Sequence, residues 1–516
     1  MTEEIILFLI LVFCFMYRAY PRMIQKYAIA ADTFFHLKHG EEVRKNGMGI
    51  FYELKNSVIK IVYSYPYLYH WLLALFPDKS RLWAERLTGA FFDTLNLLII
   101  YFFCKWYIAF HQLDYPSLTL WVCFLYAISP ALLRFNGGPR SFNGSPRIMA
   151  QTLYILHLFS YYYYYETGNY YFFVSSIFFG GLILVGSTFG TQVLLFFSLF
   201  FGLLLSWNYF LVLLASLVLI LILSRGKVIR VLRGHFGHAR FLAERISQQS
   251  PWQNKFPGYV KNIKEFLKCI FKLQFNRAVP YLHDENYPIH NFIFYYPSFF
   301  ILLNVSLFTQ HKFLYICVLA AVGLYIFTSF KRFKFLGEPV RYLDYVLVPS
   351  YMLCFVFLKD TGNLWVYYGF CVYALLSSVY FMKQFLKLLP HINADYLELK
   401  KCYAAIDAME PGNLFAFNSV GHMSYYFTHQ PVVNALIGNL DVNLFSKEDS
   451  DLVIGNYPLP GKDFAQILSR FQVKYIVLSK SDLNNYTTKI LSTPDEFYSR
   501  TQALFETKTA LFFKVI

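Results

Sequence analysis

The stretch AADTFFHLKHGEEVRKNG, residues 30–47, follows the first apolar run of the chain and decides how the remainder is read. On a helix Asp32, His36 and His39 fall at i, i+4 and i+7, so a carboxylate and two imidazoles share one face just beyond a membrane exit. That grouping suits proton abstraction, metal binding or anion binding. It equally suits a polar juxtamembrane helix whose charges face water, and spacing alone does not separate the two.

The composition narrows the setting. Of 516 residues, 57% are hydrophobic, 21% aromatic and only 15% charged, whereas soluble domains carry roughly 25% charged residues. With repeated long apolar runs, this predicts an α-helical polytopic membrane protein. The first run, 5–20, follows Glu3 and Glu4, lacks a basic leader and has no small-residue cleavage site after it, so it reads as a retained anchor. The net charge of +15 sits mostly in loops between spans. Membrane lipids and a phosphate-bearing lipid substrate are therefore the expected partners, and nucleic acid is not. The eight cysteines are scattered, with no CxxC, and read as packing residues.

A membrane helix needs roughly 20 apolar residues, and about eleven segments qualify: 5–20, 87–108, 117–135, 148–165, 171–186, 190–206, 207–224, 292–309, 312–330, 341–358 and 363–382. Residues 1–382 thus form a transmembrane domain. Its loop 21–86 carries Asp32 and the aromatic segment YSYPYLYHWLLALFP (63–77), expected to lie on the bilayer surface. From 383 to 516 the pattern changes to short strands at 414–417, 474–478 and 510–516 between helical stretches, a small α/β domain. With a cytoplasmic N-terminus, the Asp32 loop, loop 136–147, loop 331–342 and this domain share the outer side. The basic loop 225–291 is exported too, against a charge preference that weakens for loops beyond about 60 residues.

Three motifs meet on that side. They are Asp32 with His36, Ser145-Pro146-Arg147 opening span four, and GEPVRYLDY (337–345), with Glu338 and Arg341 at the mouth of span ten. The planar guanidinium fork suits phosphate oxygens, and a carboxylate beside it can take a proton from an acceptor hydroxyl. Each also has a plainer reading: loop cations at Arg140 and Arg147, a local surface pair at Glu338 and Arg341, an interfacial histidine at His70. Ser187, Thr188 and Gln192 mark a helix break, and in the functional reading that break and His70 line a cavity. Asp93 and Asn96, costly inside span two, are expected to face the bundle.

In their order these motifs resemble the GT-C superfamily of polytopic glycosyltransferases, and among them bacterial and archaeal proteins similar to the oligosaccharyltransferase catalytic subunit. The resemblance rests on D-x-x-x-H-L at Asp32–Leu37 followed by Gly47, on the segment from Tyr63 to His70 with Pro66, on Ser145-Pro146-Arg147, and on G-E-x-x-R-Y at Gly337–Tyr342. The terminal strands VKYIVLS and ALFFKVI also fit. It spans almost the whole chain, although each motif is short. It implies an inverting transferase that moves a sugar from a polyprenyl-phosphate or pyrophosphate donor to a glycan, lipid or protein acceptor. Asp32 and His36 would be catalytic, with Arg341, Arg147, Glu338 and Tyr342 around the donor phosphate. The implied setting is the bacterial inner membrane, with the active site and C-terminal domain extracytoplasmic.

Two departures shape the expectation. Loop 136–147 has no acidic residue and no WWD motif occurs, so the metal-dependent transfer of a glycan to asparagine is disfavoured. A transferase to a hydroxyl that requires no cofactor, with Asp32 as general base, fits better; a divalent metal is not favoured. The rival reading is a lipid-linked oligosaccharide transporter or flippase. Such proteins place polar sites near the midplane and show internal repeats, whereas here the suggestive residues cluster at one surface and no repeat is visible.

Overall fold

The structure is a computed structural model describing residues 2–25, 31–59, 64–133, 144–241, 243, 256–282, 288–330, 333, 336, 337, 339–416, 418–433, 446, 448, 449, 452, 463–480 and 494–516. Among these, four helices are long and apolar enough to cross a bilayer: Glu3–Met23, Asp78–Phe110, Lys312–Ser329 and Leu364–Asp407. Shorter apolar helices lie beside them at Tyr170–Gly186, Thr188–Leu204 and Asn208–Leu223, so the block 171–224 is built from three helices. One large apolar core runs through the bundle from Leu7 to Phe381. Phe8, Phe91, Phe102, Leu203, Leu214 and Ile222 are more than half exposed on its outside, as expected of side chains that meet lipid.

Asp93 faces inward, as its cost in hydrocarbon predicts. It takes a hydrogen bond at 3.0 Å from Arg18 of the first helix, and both side chains are fully buried. Asn96 donates to the Tyr126 hydroxyl at 3.0 Å.

The expected continuous span 292–309 is corrected. The chain breaks into Pro288–Tyr295, a 3₁₀ turn Pro297–Leu303 and Ser306–Gln310. Pro297 removes a backbone donor in mid-span. Asn304 then takes the backbone N–H of Ser306 on its side chain at 3.0 Å, competing with helix continuation. Span ten likewise divides into Val340–Asp344 and Leu347–Asp360, and Pro130 separates Leu118–Ala127 from Pro130–Leu133.

The last of these four long helices, Leu364–Asp407, has 44 residues. At 1.5 Å per residue it is about 66 Å long, roughly twice a hydrocarbon core. It leads directly into a five-stranded sheet of order β2-β1-β3-β5-β4, where β1 is Asn413–Ala416, β2 Val432–Val433, β3 Val473–Ser479, β4 Thr501–Glu506 and β5 Ala510–Val515. β2, β1 and β3 are parallel, while β3–β5 and β5–β4 are antiparallel. In the central strand β3 only Lys474 and the strand ends depart from full burial on both faces, and its run VKYIVLS is correspondingly apolar.

This sheet does not close its core with C-terminal residues alone. Phe34, Phe35, Val43, Tyr52 and Leu54 pack into the same cluster as Leu399, Tyr403, Leu414, Tyr475 and Phe512. Beyond β2 the segment at Ser57 adds a parallel bridge, with Val432 N–H donating to Asn56 O at 2.8 Å and Val58 N–H to Val432 O at 3.2 Å. The helix that carries Asp32 is therefore held by both the bundle and the sheet.

Candidate active site

The Asp32 helix spans Ala31–Lys45. It stops where Gly47 turns left-handed at φ 63°, with Met48 N–H donating to Val43 O (2.9 Å) and Gly47 N–H to Arg44 O (3.1 Å). This is a Schellman stop, and it gives the motif glycine a physical role. Asp32 sits in the first turn, where the helix dipole favours an anion, and its side chain is exposed.

One turn on, His36 is buried and its Nδ1 lies 2.8 Å from His70 Nε2. His39 shares a hydrogen bond with Tyr52. His422, from the helix Asn418–Phe427 of the C-terminal region, stacks edge-on against Phe35 at 5.0 Å. Burial first, then neighbouring imidazoles, hold His36, His39 and His70 well below the ordinary histidine value; the Asp32 carboxylate only partly offsets this at His36. His70 is thus a buried partner of His36, not an interfacial residue.

Ser145-Pro146-Arg147 begins the helix Pro146–Thr167. Ser145 is the N-cap, its hydroxyl accepting from the Arg147 backbone N–H at 3.2 Å, and Pro146 occupies the first position, where no N–H is missed. The Arg147 side chain is half-buried. The break at 187–192 does the same for a second helix: Ser187 caps Thr188–Leu204 by accepting from Gly190 N–H at 3.4 Å. Arg341 lies with its guanidinium carbon 5.5 Å from the centre of the Phe189 ring, in the first turn of that helix. Gln192 Oε1 lines the approach to Gly337, whose φ of 104° suits glycine.

Tyr65 ties these pieces together. Its ring lies 5.4 Å from Phe35, 6.1 Å from His36 and 5.5 Å from His70, and its environment includes the charges of Asp32, Arg147 and Arg341. Burial, with Asp32 adding to it, pushes the phenol up to about 12 despite the two cations. The ring contacts bring Tyr65, Phe35, His36 and His70 together, and the charges of Asp32, Arg147 and Arg341 act on that phenol. Tyr342 is not part of this group: the ring is fully buried against Phe189 and Phe196, and the hydroxyl donates to Leu336 O at 2.8 Å. Glu338 and Arg140 lie outside the described residues.

Sequence reading did not single out Tyr65, whereas the segment 225–291, with Arg230, Arg233, His235 and His238, reads as a basic amphipathic helix plus loop, and the structure has the helix Val228–Phe241 there. That helix approaches the site at Gly234, where a Cβ would stand 2.7 Å from Ser64 O. It delivers His235 to Thr191 at 3.3 Å and His238 to the neighbourhood of Arg341. Burial draws both imidazoles down to about 4.

As a metal centre the site fits poorly. Among the described residues no group of three or more His, Cys, Asp or Glu side chains is placed to hold an ion, and His36 and His70 are committed to each other.

No family model and no curated protein matches the sequence. Solved structures do. The archaeal oligosaccharyltransferase AglB from Archaeoglobus fulgidus, in complex with an inhibitory peptide and a dolichol-phosphate, superposes with TM-score 0.54 and 13% identity over 93% of this chain and 69% of that one. ArnT from Cupriavidus metallidurans bound to undecaprenyl phosphate superposes with TM-score 0.53 and 12% identity over 99% of this chain and 97% of that one. Both are membrane glycosyltransferases of the GT-C superfamily, and the present chain has their fold. At such identities the likeness is one of fold, and substrate has to be argued from the site.

Two outcomes follow directly from this geometry. A Cβ on Gly144 would fall 2.3 Å from the Tyr69 hydroxyl, 2.5 Å from Glu85 O and 2.7 Å from Thr88 Oγ1. Gly144→Ala must push Arg147's loop off the helix Asp78–Phe110, at a cost of about 1–3 kcal/mol. Thermal unfolding in detergent should show the loss together with reduced activity, and a wild-type melting temperature would contradict the packing.

The second outcome concerns acid. The unfolded chain protonates His36, His39 and His70 near pH 6.5, while the folded values lie well below. Stability is thus fully present above about pH 6.5 and lost beneath it, by up to about 1.4 kcal/mol per pH unit for each imidazole. A melting temperature that does not fall between pH 7 and 5 would contradict a neutral buried cluster.

Proposed function

We propose that the protein is an inverting glycosyltransferase that transfers a sugar from a polyprenyl-phosphate donor to an acceptor hydroxyl on the extracytoplasmic face. What supports this is the packing of Tyr65 against His36 and His70 on the Asp32 side and of Arg341 over Phe189 on the other, with the charges of Asp32, Arg147 and Arg341, from three distant segments, all acting on the Tyr65 phenol. The two solved proteins of the same fold are described with dolichol-phosphate and undecaprenyl phosphate, which supports a lipid-phosphate ligand here.

In the reaction the acceptor oxygen attacks the anomeric carbon from the face opposite the phosphate. Its proton passes to the Asp32 carboxylate, and the bond between the anomeric carbon and the phosphate oxygen breaks, leaving polyprenyl phosphate. The developing charge on that phosphate is met by Arg341 and Arg147, with the N-terminus of Thr188–Leu204 adding a favourable dipole. His36, kept neutral and bonded to His70, orients the Asp32 helix against the segment at 63–77.

Mass spectrometry of lipids carried through purification in mild detergent tests this reading. Polyprenyl phosphate, bare or sugar-linked, supports it and names the donor class. Bulk phospholipid alone, with no transfer from added polyprenyl-phosphate sugar, would remove the transferase reading; movement of the intact lipid across a vesicle membrane would instead establish a flippase.

A further inference from the structure

Glu85 lies outside every motif discussed above, yet it joins two of them. It belongs to the extramembrane start of the helix Asp78–Phe110 and is fully buried. Its Oε2 accepts from Arg22 Nη2 at 2.5 Å. Its Oε1 accepts from the Gly144 backbone N–H at 2.6 Å and from the Thr33 hydroxyl at 3.4 Å. Thr33 adjoins Asp32, and Gly144 immediately precedes Ser145-Pro146-Arg147. Arg22, itself only 2% exposed, also reaches the backbone carbonyls of Arg86 and Glu85.

A buried ion pair is an expensive way to join helices, because each ion loses several kcal/mol of hydration and well-packed apolar residues often serve as well. What apolar residues would not supply is an acceptor for the amide of Gly144 and the hydroxyl of Thr33. The bare glycine lets the backbone come close enough for that bond. Arg22 occupies one carboxylate oxygen and leaves the other to Thr33 of the Asp32 helix and to the Gly144 backbone.

We propose that Glu85 is a positioning residue that sets the separation of Asp32 from Arg147 through its Oε1 atom, and that Arg22 serves to orient it. The proposal rests on the transferase reading above. Neither residue touches substrate; a shift of about 1 Å between base and phosphate cation costs roughly 100-fold in rate.

Three variants separate positioning from simple structural support, assayed in nanodiscs by release of undecaprenyl phosphate from an undecaprenyl-phosphate-linked hexose. Arg22→Met with Glu85→Met replaces the pair by apolar side chains of similar length. It should fold, with a melting temperature near wild type, but lose about 100-fold in kcat. Arg22→Met with Glu85→Gln restores the acceptor oxygen without the charge and should recover to within about tenfold of wild type. Equal activity in the two double variants would overturn the proposal. Should the Met pair not fold, Glu85→Asp keeps the charge for Arg22 but falls one methylene short of Gly144 and Thr33; full activity there overturns it as well. Hydrogen exchange at the peptide holding Gly144 reads the same link without turnover. Protection lost in the Met pair and kept in the Gln pair supports it, and equal protection contradicts it. An inactive wild-type protein would therefore cancel the transferase reading while Glu85 is still tested.

Discussion

Asp32→Asn is expected to lower kcat for sugar transfer by about 10²–10⁴-fold, the usual contribution of one positioned general base, with the KM for donor close to wild type. In free energy this is about 3–5 kcal/mol of lost transition-state stabilisation. The asparagine keeps the size and shape of the side chain but does not accept the acceptor's proton. Folding should survive, because Asp32 is exposed and the helix is held by Phe34, Phe35 and Val43 in the sheet-side core. The lost helix-dipole interaction is worth only about 0.3–1 kcal/mol. Single-turnover consumption of lipid-linked sugar, alongside thermal unfolding of the same sample, separates chemistry from stability. Wild-type turnover in the variant would take Asp32 out of the mechanism.

Arg341→Ala acts on the other half of the reaction. A charge-assisted hydrogen bond is worth about 1.5–3 kcal/mol, so donor affinity should fall roughly 10- to 100-fold. Arg341→Lys should land between alanine and wild type, since it keeps the charge but not the planar fork that grips two phosphate oxygens. The Phe189 ring beneath the guanidinium adds a preference for arginine that a lysine meets less well. Titration of detergent-solubilised protein with undecaprenyl phosphate measures the effect. Unchanged affinity in the alanine variant would assign the phosphate to other cations.

How much of this was legible in the sequence differs from residue to residue. The Asp32 helix was, because helical spacing and a glycine stop are local signals, and so were strands β1, β3 and β5, whose apolar runs are long enough to read. β2 has two residues and β4 is buried only at its first residue, so neither carries a usable pattern. The broken span at 288–310 has the hydropathy of a membrane helix, and only Pro297 and Asn304 hinted otherwise. Within the site, Arg147 and Arg341 were recoverable from their motifs, but the side on which Tyr342 points was not. Glu85 was invisible for a different reason: its partners Arg22, Thr33 and Gly144 are 52 to 63 residues away, and no spacing rule connects them. Tyr65 lay inside a motif already noticed for its proline and histidine, hidden among many other tyrosines.

The participation of residues 31–59 in the core of the C-terminal sheet has a functional side. The helix bearing the proposed base is clamped between the bundle and the sheet, with Phe34 and Phe35 on one side and Leu73 against Gly40 on the other. Any shift of the sheet relative to the bundle would move Asp32 with respect to Arg341.

The most direct test of the central claim is a cryo-electron microscopy structure of the protein in nanodiscs with undecaprenyl phosphate. The account predicts the phosphate between Arg341, Arg147 and the start of the helix Thr188–Leu204, with open space between it and Asp32 for a sugar. A phosphate bound away from these arginines, or at the opposite membrane face, would contradict it.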